Sequence, residues 1–253
     1  MEAALTAAER GHDVTLYEKA DRLGGVLAHF CADDYLKREM LPYRDSQIRK
    51  VMKSGCRILL NTEATPEMLK QEHYDVIISA VGAREKRISV PGAELPHVCN
   101  ILEMPDKEAL GDTVAIIGGG MAGCETAYDL AVLGKKVLLI EMQDKLFPET
   151  DTVSKKYSMP VFVRISRHEN IRILRSAECV AIGQGTLTVR TAGGEEQVLP
   201  ADSVIYSVGS KADTEFVDAL WDCAPDVVPV GDCVRARSII DAVREAYFAA
   251  RNI

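Results

Sequence analysis

A glycine-rich turn between two apolar runs constrains the fold of this chain more than any other feature of its sequence. Three glycines, Gly118, Gly120 and Gly123, satisfy the pattern G-x-G-x-x-G. The residues before the turn predict a strand (113–117), and those after it predict a helix (121–133). A glycine pattern alone is weak evidence, but this one lies between a strand and a helix, which is the context in which such turns bind nucleotide phosphates.

Each part of this unit has a physical role in binding a dinucleotide. The first glycine permits a tight turn, the second lets the backbone approach a pyrophosphate, and the third lets the helix lie close to the strand. Met121 and Ala122 open the helix, where free N–H groups and a partial positive charge attract phosphate. The next predicted strand (136–140) ends in Glu141, about 20 residues after the turn, where a carboxylate can accept hydrogen bonds from a ribose diol. We therefore predict a dinucleotide site here; a purely structural glycine turn is the alternative.

Composition narrows the class of protein. The 253 residues suffice for one large or two small domains, and 47% of them are hydrophobic. No apolar run approaches the roughly 18 residues that span a membrane, and the acidic N-terminal segment does not resemble a signal peptide. We therefore expect a soluble, cytoplasmic protein. The net charge of −8 argues against nucleic acid as a partner, because no basic stripe is present to neutralise phosphates.

The cysteines and histidines predict neither a metal site nor a catalytic arrangement. The cysteines are Cys31, Cys56, Cys99, Cys124, Cys179, Cys223 and Cys233. None of them forms a C-x-x-C pair, so a redox-active disulfide of the usual spacing, a zinc site and an iron–sulfur site are not indicated. The five histidines occur in predicted loops or at element ends, and no Ser/His/Asp or Cys/His arrangement indicates hydrolysis. No side chain is therefore assigned a catalytic role.

The start of the chain repeats the organising unit at a constant offset of 123 positions. The coincident pairs include Glu2 and Glu125, Gly11 and Gly134, Glu18 and Glu141, and Asp21 and Asp144. Periodicity alone would not align Gly, Glu and Asp, so we predict two copies of one nucleotide-binding unit. Because Met1 aligns with Cys124, the first copy lacks its first strand and its glycine turn. We expect the sequence to be part of a longer chain; the alternative is a copy that has lost its phosphate-binding turn.

Two further strand ends are candidate ligand contacts. One apolar strand runs into Ala80-Val81-Gly82, and a similar strand runs into Val208-Gly209. Glycine at such a turn allows close approach of a ligand to the backbone, although an ordinary strand end is the alternative.

Near the C-terminus a short strand ends in Gly231-Asp232, before a predicted helix from Ser238 to about Arg251. The carboxylate could bind a polyol hydroxyl and the helix N-terminus a phosphate, but Gly-Asp is also common in turns.

The remaining segments are connective or small elements. They are a helix (2–10), a strand (13–18), an irregular helical pattern interrupted at Pro42 (35–54), a strand (56–61), a turn-rich crossover (91–105), part of a helix bounded uncertainly by Pro160 (157–168) and a small β-meander (178–199).

Taken together, these motifs resemble the pyridine nucleotide–disulfide oxidoreductase superfamily of two-dinucleotide-binding-domain flavoproteins. Within it, the chain is similar to the C-terminal part of the NADH:flavin oxidoreductase, enoate reductase, 2,4-dienoyl-CoA reductase and trimethylamine dehydrogenase family. The likeness covers essentially the whole chain. It rests on residues 17–25, 79–83, 118–125, 208–211, 230–233 and 241–253.

The resemblance implies two Rossmann-like α/β domains, one inserted in the other, with a small β-meander. The FAD domain would comprise 1–106 with 213–253, and the NAD domain 107–212. Glu18 would hold the FAD adenosine ribose, Asp232 would bind the ribitol or pyrophosphate region, and Glu125 would lie toward the nicotinamide. The implied cofactor-binding residues are Glu18, Lys19, Gly24, Gly25, Ala80, Val81, Gly82, Gly118, Gly120, Met121, Ala122, Gly123, Glu125, Glu141, Gly209, Gly231 and Asp232.

Two departures from the family pattern limit what the chain is expected to do. The FAD glycine turn is absent, which puts FAD retention in doubt. The upstream Old Yellow Enzyme-like barrel, with its FMN and 4Fe-4S cluster, is also absent from the sequence. We expect the NADH- and FAD-binding electron-input module of a larger reductase, with the barrel as its partner and a homo-oligomer as a further possibility. A non-catalytic nucleotide-binding domain and a reductase of a separate carrier protein are the alternatives. Glu141 would repel the 2′-phosphate of NADPH, so NAD(H) is the expected nucleotide.

Overall fold

The computed structural model describes residues 1–29, 36–147 and 152–253. The helices are α1 (Glu2–Glu9), α2 (Leu41–Lys53), α3 (Pro66–Glu72), α4 (Met121–Val132), α5 (Thr152–Arg167), α6 (Thr214–Ala219) and α7 (Ile239–Arg251). The strands are β1 (Thr15–Tyr17), β2 (Arg57–Leu59), β3 (Val76–Ser79), β4 (Ala83–Glu85), β5 (Val98–Asn100), β6 (Thr113–Ile117), β7 (Lys136–Ile140), β8 (Ile171–Leu174), β9 (Ala177–Gly183), β10 (Thr186–Thr191), β11 (Glu196–Pro200), β12 (Ser203–Tyr206), β13 (Ser210–Ala212) and β14 (Asp226–Pro229). Short 3₁₀ turns cover Gly25–His29, Lys37–Met40, Lys107–Ala109 and Gly231–Cys233.

These elements form two compact units. Unit 1 comprises Met1–Arg84 and Ser210–Ile253, and unit 2 comprises Glu85–Gly209. The predicted domain boundaries lay after residues 106 and 212 instead. The difference has a physical reason: β5 pairs in parallel with β12, so the segment around it belongs to the sheet of unit 2.

Unit 2 is a three-layer α/β fold, with helices on one face of its sheet and a β-meander on the other. Its five-stranded sheet has the order β5-β12-β6-β7-β8, and every neighbouring pair is parallel. After their first residues, Thr113 and Lys136, the central strands β6 and β7 are apolar and buried, as expected of parallel strands covered on both faces. The antiparallel meander β9-β10-β11 covers one face, where Leu187 and Val189 pack on the sheet. The predicted Rossmann-like unit and its meander are confirmed.

Unit 1 has the same kinds of element but an interrupted sheet. Two parallel pairs are present, β1-β2 and β14-β3. By the internal repeat, β1 corresponds to β7 and β3 to β12, and in unit 2 the strand that separates these two is β6. Among the described residues of unit 1, no strand corresponds to β6. Helices α1 and α7 pack against each other, and Tyr17 and Tyr74 join their hydroxyls at 2.7 Å beside an apolar cluster around Leu220.

Two predicted segments differ from the structure. Pro42 does not interrupt a helix: it lies in the first turn of α2, where the missing N–H of proline has no helical partner to lose. The start of that predicted pattern, Tyr35, lies outside the described residues. The predicted crossover 91–105 contains β5, a strand too short to show a periodic pattern. The helix expected within 157–168 is present as part of α5, with Pro160 inside the helix.

Within the described ranges, no helix is both long and apolar enough to cross a membrane.

Candidate functional site

The glycine turn of unit 2 connects β6 to α4, and two of its glycines are required by close packing. Gly118 has a left-handed φ of +115°, and a side chain there would overlap the carbonyl oxygen of Ser207. Gly123, on the first turn of α4, lies so close to the Gly118 carbonyl oxygen that a methyl group would not fit. The helix therefore sits directly on the turn, as the spacing of the motif predicts.

Gly120 has a different environment from these two glycines. Its φ is −71°, which any residue adopts, and a methyl group added to it would meet nothing within 4 Å. It is the N-cap of α4, and this helix has neither a side-chain cap nor an acidic residue in its first turn, which contains Met121 and Ala122. The first N–H groups of α4 are thus offered to a ligand, and the space in front of Gly120 suits an anion.

Glu141 follows β7 and is 6% exposed. Its Oε2 accepts a hydrogen bond from the Gly119 N–H at 2.7 Å, and its Oε1 accepts one from the Gln143 N–H at 2.8 Å. An ionised carboxylate has about four acceptor positions, so two remain for a ribose diol. The carboxylate therefore both holds the glycine turn and retains capacity for a ligand.

The role of Gly119 was missed from the sequence. Its carbonyl oxygen accepts from the Phe147 N–H at 2.9 Å and from the Cys124 thiol at 3.3 Å, while its N–H binds Glu141. A methyl group on Gly119 would press against Leu146 and Glu141. The signal for this role was the run of three consecutive glycines, of which the motif itself needs only the outer two.

Gly209 and Glu125 complete the predicted residues of unit 2. Gly209 is exposed with a φ of +84° and follows β12, the direct neighbour of β6. Because the carboxyl ends of parallel strands meet at one edge of a sheet, Gly209 and the Gly118 turn share the edge at which α/β folds bind ligands. Glu125 lies half-buried on α4.

In unit 1, Glu18 repeats one contact of its counterpart. Its Oε1 accepts from the Ala20 N–H at 2.9 Å, as Glu141 accepts from the residue two positions on. Lys19 beside it is exposed, and Gly24 and Gly25 adopt left-handed φ values of +129° and +53°. This segment follows the carboxyl end of β1, as the repeat predicts.

The other predicted residues of unit 1 follow the neighbouring strands β3 and β14. Ala80 and Val81 are exposed, and Gly82 has a φ of +78° with open space around it. Gly231 is buried with a φ of +70°, and Asp232 beside it is half-buried. Because β3 and β14 pair in parallel, these turns lie at the same edge of the sheet.

The phosphate site suggested at the N-terminus of α7 does not fit the structure. Ser238 caps this helix by accepting from the Asp241 N–H, while Asp241 Oδ2 accepts from the Ser238 N–H and hydroxyl. The carboxylate of this capping box would repel a phosphate. Of the two helix N-termini proposed for phosphate, the uncapped one of α4 is the suitable one.

The donor sets of the two units fit their nucleotides to different degrees. Unit 2 has left-handed and sterically required glycines, an uncapped helix and a carboxylate with acceptor positions left for a ligand. Unit 1 has the carboxylates and the left-handed glycines, but its described residues include no glycine turn for the phosphates of FAD.

Four of the described cysteines, Cys124, Cys179, Cys223 and Cys233, are buried, and Cys56 and Cys99 are half-buried. The six cysteines of the described ranges are free, and Cys31 lies outside those ranges. Burial, with smaller contributions from Glu125 and Glu141, raises the pKa of the Cys124 thiol well above its usual range. No group of three or more His, Cys, Asp or Glu side chains able to hold a metal occurs in the described part of the chain.

Two α/β units that repeat one motif, one of them with a complete glycine turn, are typical of proteins with two dinucleotide-binding domains. The comparisons agree. The chain belongs to the pyridine nucleotide-disulphide oxidoreductase family, whose model matches residues 1–246.

Among known relatives, the chain is 33% identical to a bilirubin reductase of Mediterraneibacter gnavus, over 99% of this chain and 38% of the relative. It is 29% identical to an NADH oxidase of Thermoanaerobacter brockii, over 100% of this chain and 39% of the relative. Among solved structures, a 2-naphthoyl-CoA reductase superposes with a TM-score of 0.85 and 30% identity, over 100% of this chain and 38% of that one. The chain thus spans under two fifths of the length of these proteins. The predicted resemblance to the FAD- and NAD-binding part of enoate-type reductases is confirmed.

Proposed function

We propose that this chain is the NADH- and FAD-binding electron-input module of a larger reductase. The observation that carries the proposal is the arrangement at α4, where an uncapped helix N-terminus, open space at Gly120 and the carboxylate of Glu141 lie at one sheet edge. Bound NADH would supply a hydride, and bound FAD would accept it.

The residues of unit 2 divide the work of holding the nucleotide. Gly118 and Gly123 fix the turn, Gly120 admits the pyrophosphate, and the N–H groups of Met121 and Ala122 donate to it. Glu141 accepts from the adenosine ribose, and Glu125 and Gly209 lie on the side of the nicotinamide half. A 2′-phosphate would face the Glu141 carboxylate at close range, so we propose NADH rather than NADPH.

In unit 1, Glu18 would accept from the FAD ribose, and the other predicted positions would line the cofactor. These positions are Lys19, Gly24, Gly25, Ala80, Val81, Gly82, Gly231 and Asp232. Because the described residues lack a glycine turn there, we propose that FAD binds weakly unless a further strand and turn complete the sheet.

The whole protein would have an upstream barrel carrying FMN and a 4Fe-4S cluster, which receives the electrons. The proposal of a further domain is supported by the lengths of the relatives, of which the chain covers 38–39%. The interrupted sheet of unit 1 favours one alternative, a module that binds nucleotide without catalysing electron transfer.

Spectroscopy of the purified protein tests the proposal. A flavin absorption band that bleaches when NADH is added without oxygen, and bleaches more slowly with NADPH, is the expected result. Protein that binds NADH but stays colourless after incubation with FAD would support the non-catalytic alternative. A chain extended by a strand and turn copied from residues 113–123 is the matched test, because it should retain more FAD if the interrupted sheet is the cause.

A further inference from the structure

A closed ring of contacts joins helix α7 to the turn at the end of β14. Glu245 Oε2 accepts from the buried Gly231 N–H at 2.8 Å, and Oε1 accepts from the guanidinium of Arg237. The backbone N–H of Arg237 in turn donates to Asp232 Oδ1 at 3.1 Å. One side chain on the helix therefore restrains both residues of the Gly231-Asp232 turn.

The backbone of this turn needs such a restraint. Gly231 has a left-handed φ of +70°, and a methyl group on it would lie 3.2 Å from the Cβ of Ala242, so α7 packs directly against it. Gly231 is buried, and an N–H at a buried position is costly without an acceptor. Glu245 is the acceptor that the structure provides.

The contacts of Glu245 are not explained by helix stability alone. The N-terminus of α7 is already satisfied by the capping box of Ser238 and Asp241. The ion pair with Arg237 has a third of each side chain exposed, and pairs of this kind add little to stability. Glu245 is distinguished by the two groups that its carboxylate binds. One oxygen accepts from the Gly231 N–H of the turn, and the other accepts from Arg237, whose backbone N–H donates to Asp232.

We propose that Glu245 is a positioning residue that sets the Gly231-Asp232 turn for its ligand. The hydrogen bond from the Arg237 N–H to Asp232 Oδ1 restrains the carboxylate, and its other oxygen would accept from a polyol hydroxyl. The ligand part of this proposal rests on the proposed function, in which Asp232 contacts FAD.

Amide exchange at Gly231 tests the positioning role without any cofactor. The full chain, labelled with ¹⁵N-glycine, is compared as wild type, Glu245→Ala, Glu245→Gln and Arg244→Ala, the last being a neighbouring exposed charge on the same helix. We expect exchange at Gly231 to rise about tenfold in Glu245→Ala, the size of one lost hydrogen bond. Glu245→Gln should restore most of the protection because its amide oxygen still accepts, and Arg244→Ala should leave it unchanged. Equal protection in wild type and Glu245→Ala would overturn the proposal.

FAD titration, followed by quenching of flavin fluorescence, tests the ligand part. The dissociation constant should rise about tenfold in Glu245→Ala and recover in Glu245→Gln, in parallel with the exchange rates. Faster exchange with unchanged FAD affinity would show that the turn does not serve the cofactor. A chain that binds no FAD as the wild type and still binds none after extension by the strand and turn would refute the flavin part of the proposed function, while the exchange comparison would still decide whether Glu245 positions the turn.

Discussion

Replacing Gly120 by alanine separates binding from folding at the glycine turn. The added methyl group meets nothing within 4 Å and the φ of −71° suits alanine, so the fold should tolerate it. Alanine is a poorer N-cap than glycine by about 1 kcal/mol, which corresponds to a fall in melting temperature of about 2–4 °C. The same methyl group occupies the space assigned to the pyrophosphate.

The expected loss of affinity follows from the contacts that the methyl group prevents. If it keeps the phosphates from two N–H groups of α4, each worth about 1.5 kcal/mol as a hydrogen bond to a charged group, about 3 kcal/mol is lost. The dissociation constant for NADH should then rise roughly 100-fold. NADH fluorescence measures it, and a thermal melt of the same sample measures stability.

Two other glycine variants make the result interpretable. Gly123→Ala places its methyl group against the Gly118 carbonyl oxygen, and overpacking of this kind costs about 1–3 kcal/mol, so both stability and affinity should fall. Gly193→Ala, in the meander, has only an ordinary contact at 3.7 Å and should change neither. Gly120→Ala protein that melts near the wild-type temperature and binds NADH within about threefold of wild type would refute the assignment of this turn to the pyrophosphate.

Three further predictions concern single side chains. Glu141→Gln removes a like-charge repulsion of about 1 kcal/mol, so the preference for NADH over NADPH should narrow about fivefold; tighter binding of NADPH by the wild type would contradict this. Burial, followed by the hydrogen bond with Tyr74, raises the pKa of Tyr17 to about 12. Because the pKa rises above the ordinary value of about 10, the stabilisation by neutral Tyr17 is complete below pH 10 and is lost between pH 10 and 12. In Tyr17→Phe, the free energy of unfolding should therefore decrease less between pH 10 and 12 than in the wild type. An equal decrease in both proteins would contradict this prediction. Cys124 is buried and its pKa is raised, so it should resist iodoacetamide in the folded protein while the half-buried Cys56 is alkylated. Peptide mass spectrometry measures the extent of alkylation at each cysteine. Alkylation of Cys124 before Cys56 would be inconsistent with the structure.

Much of the fold followed from local patterns. The strand, turn, helix and strand around Gly118 were predicted nearly to the residue, because buried parallel strands are continuous apolar runs and the turn needs glycine at fixed positions. β5 was not predicted, since three residues carry no periodicity and its strand character comes from pairing with β12. The first boundary between the units, after Arg84, lies earlier in the chain than predicted because this pairing places β5 in the sheet of unit 2.

The candidate site divides in the same way. The sequence identified Glu18 and Glu141 as the acids that follow these strands, because a strand and an acid recur at the same offset in both copies. The sequence did not show which N–H groups donate hydrogen bonds to these carboxylates.

The sequence by itself determined the two repeated units, the glycine spacing and the acid after each second strand, since these depend on periodicity and on backbone conformations available to single residues. Only the tertiary structure decided which N–H groups those acids hold. Gly119 and Glu141 are 22 residues apart and Gly231 and Glu245 are 14 apart. Such contacts arise when packing brings distant segments together, and no local pattern encodes them.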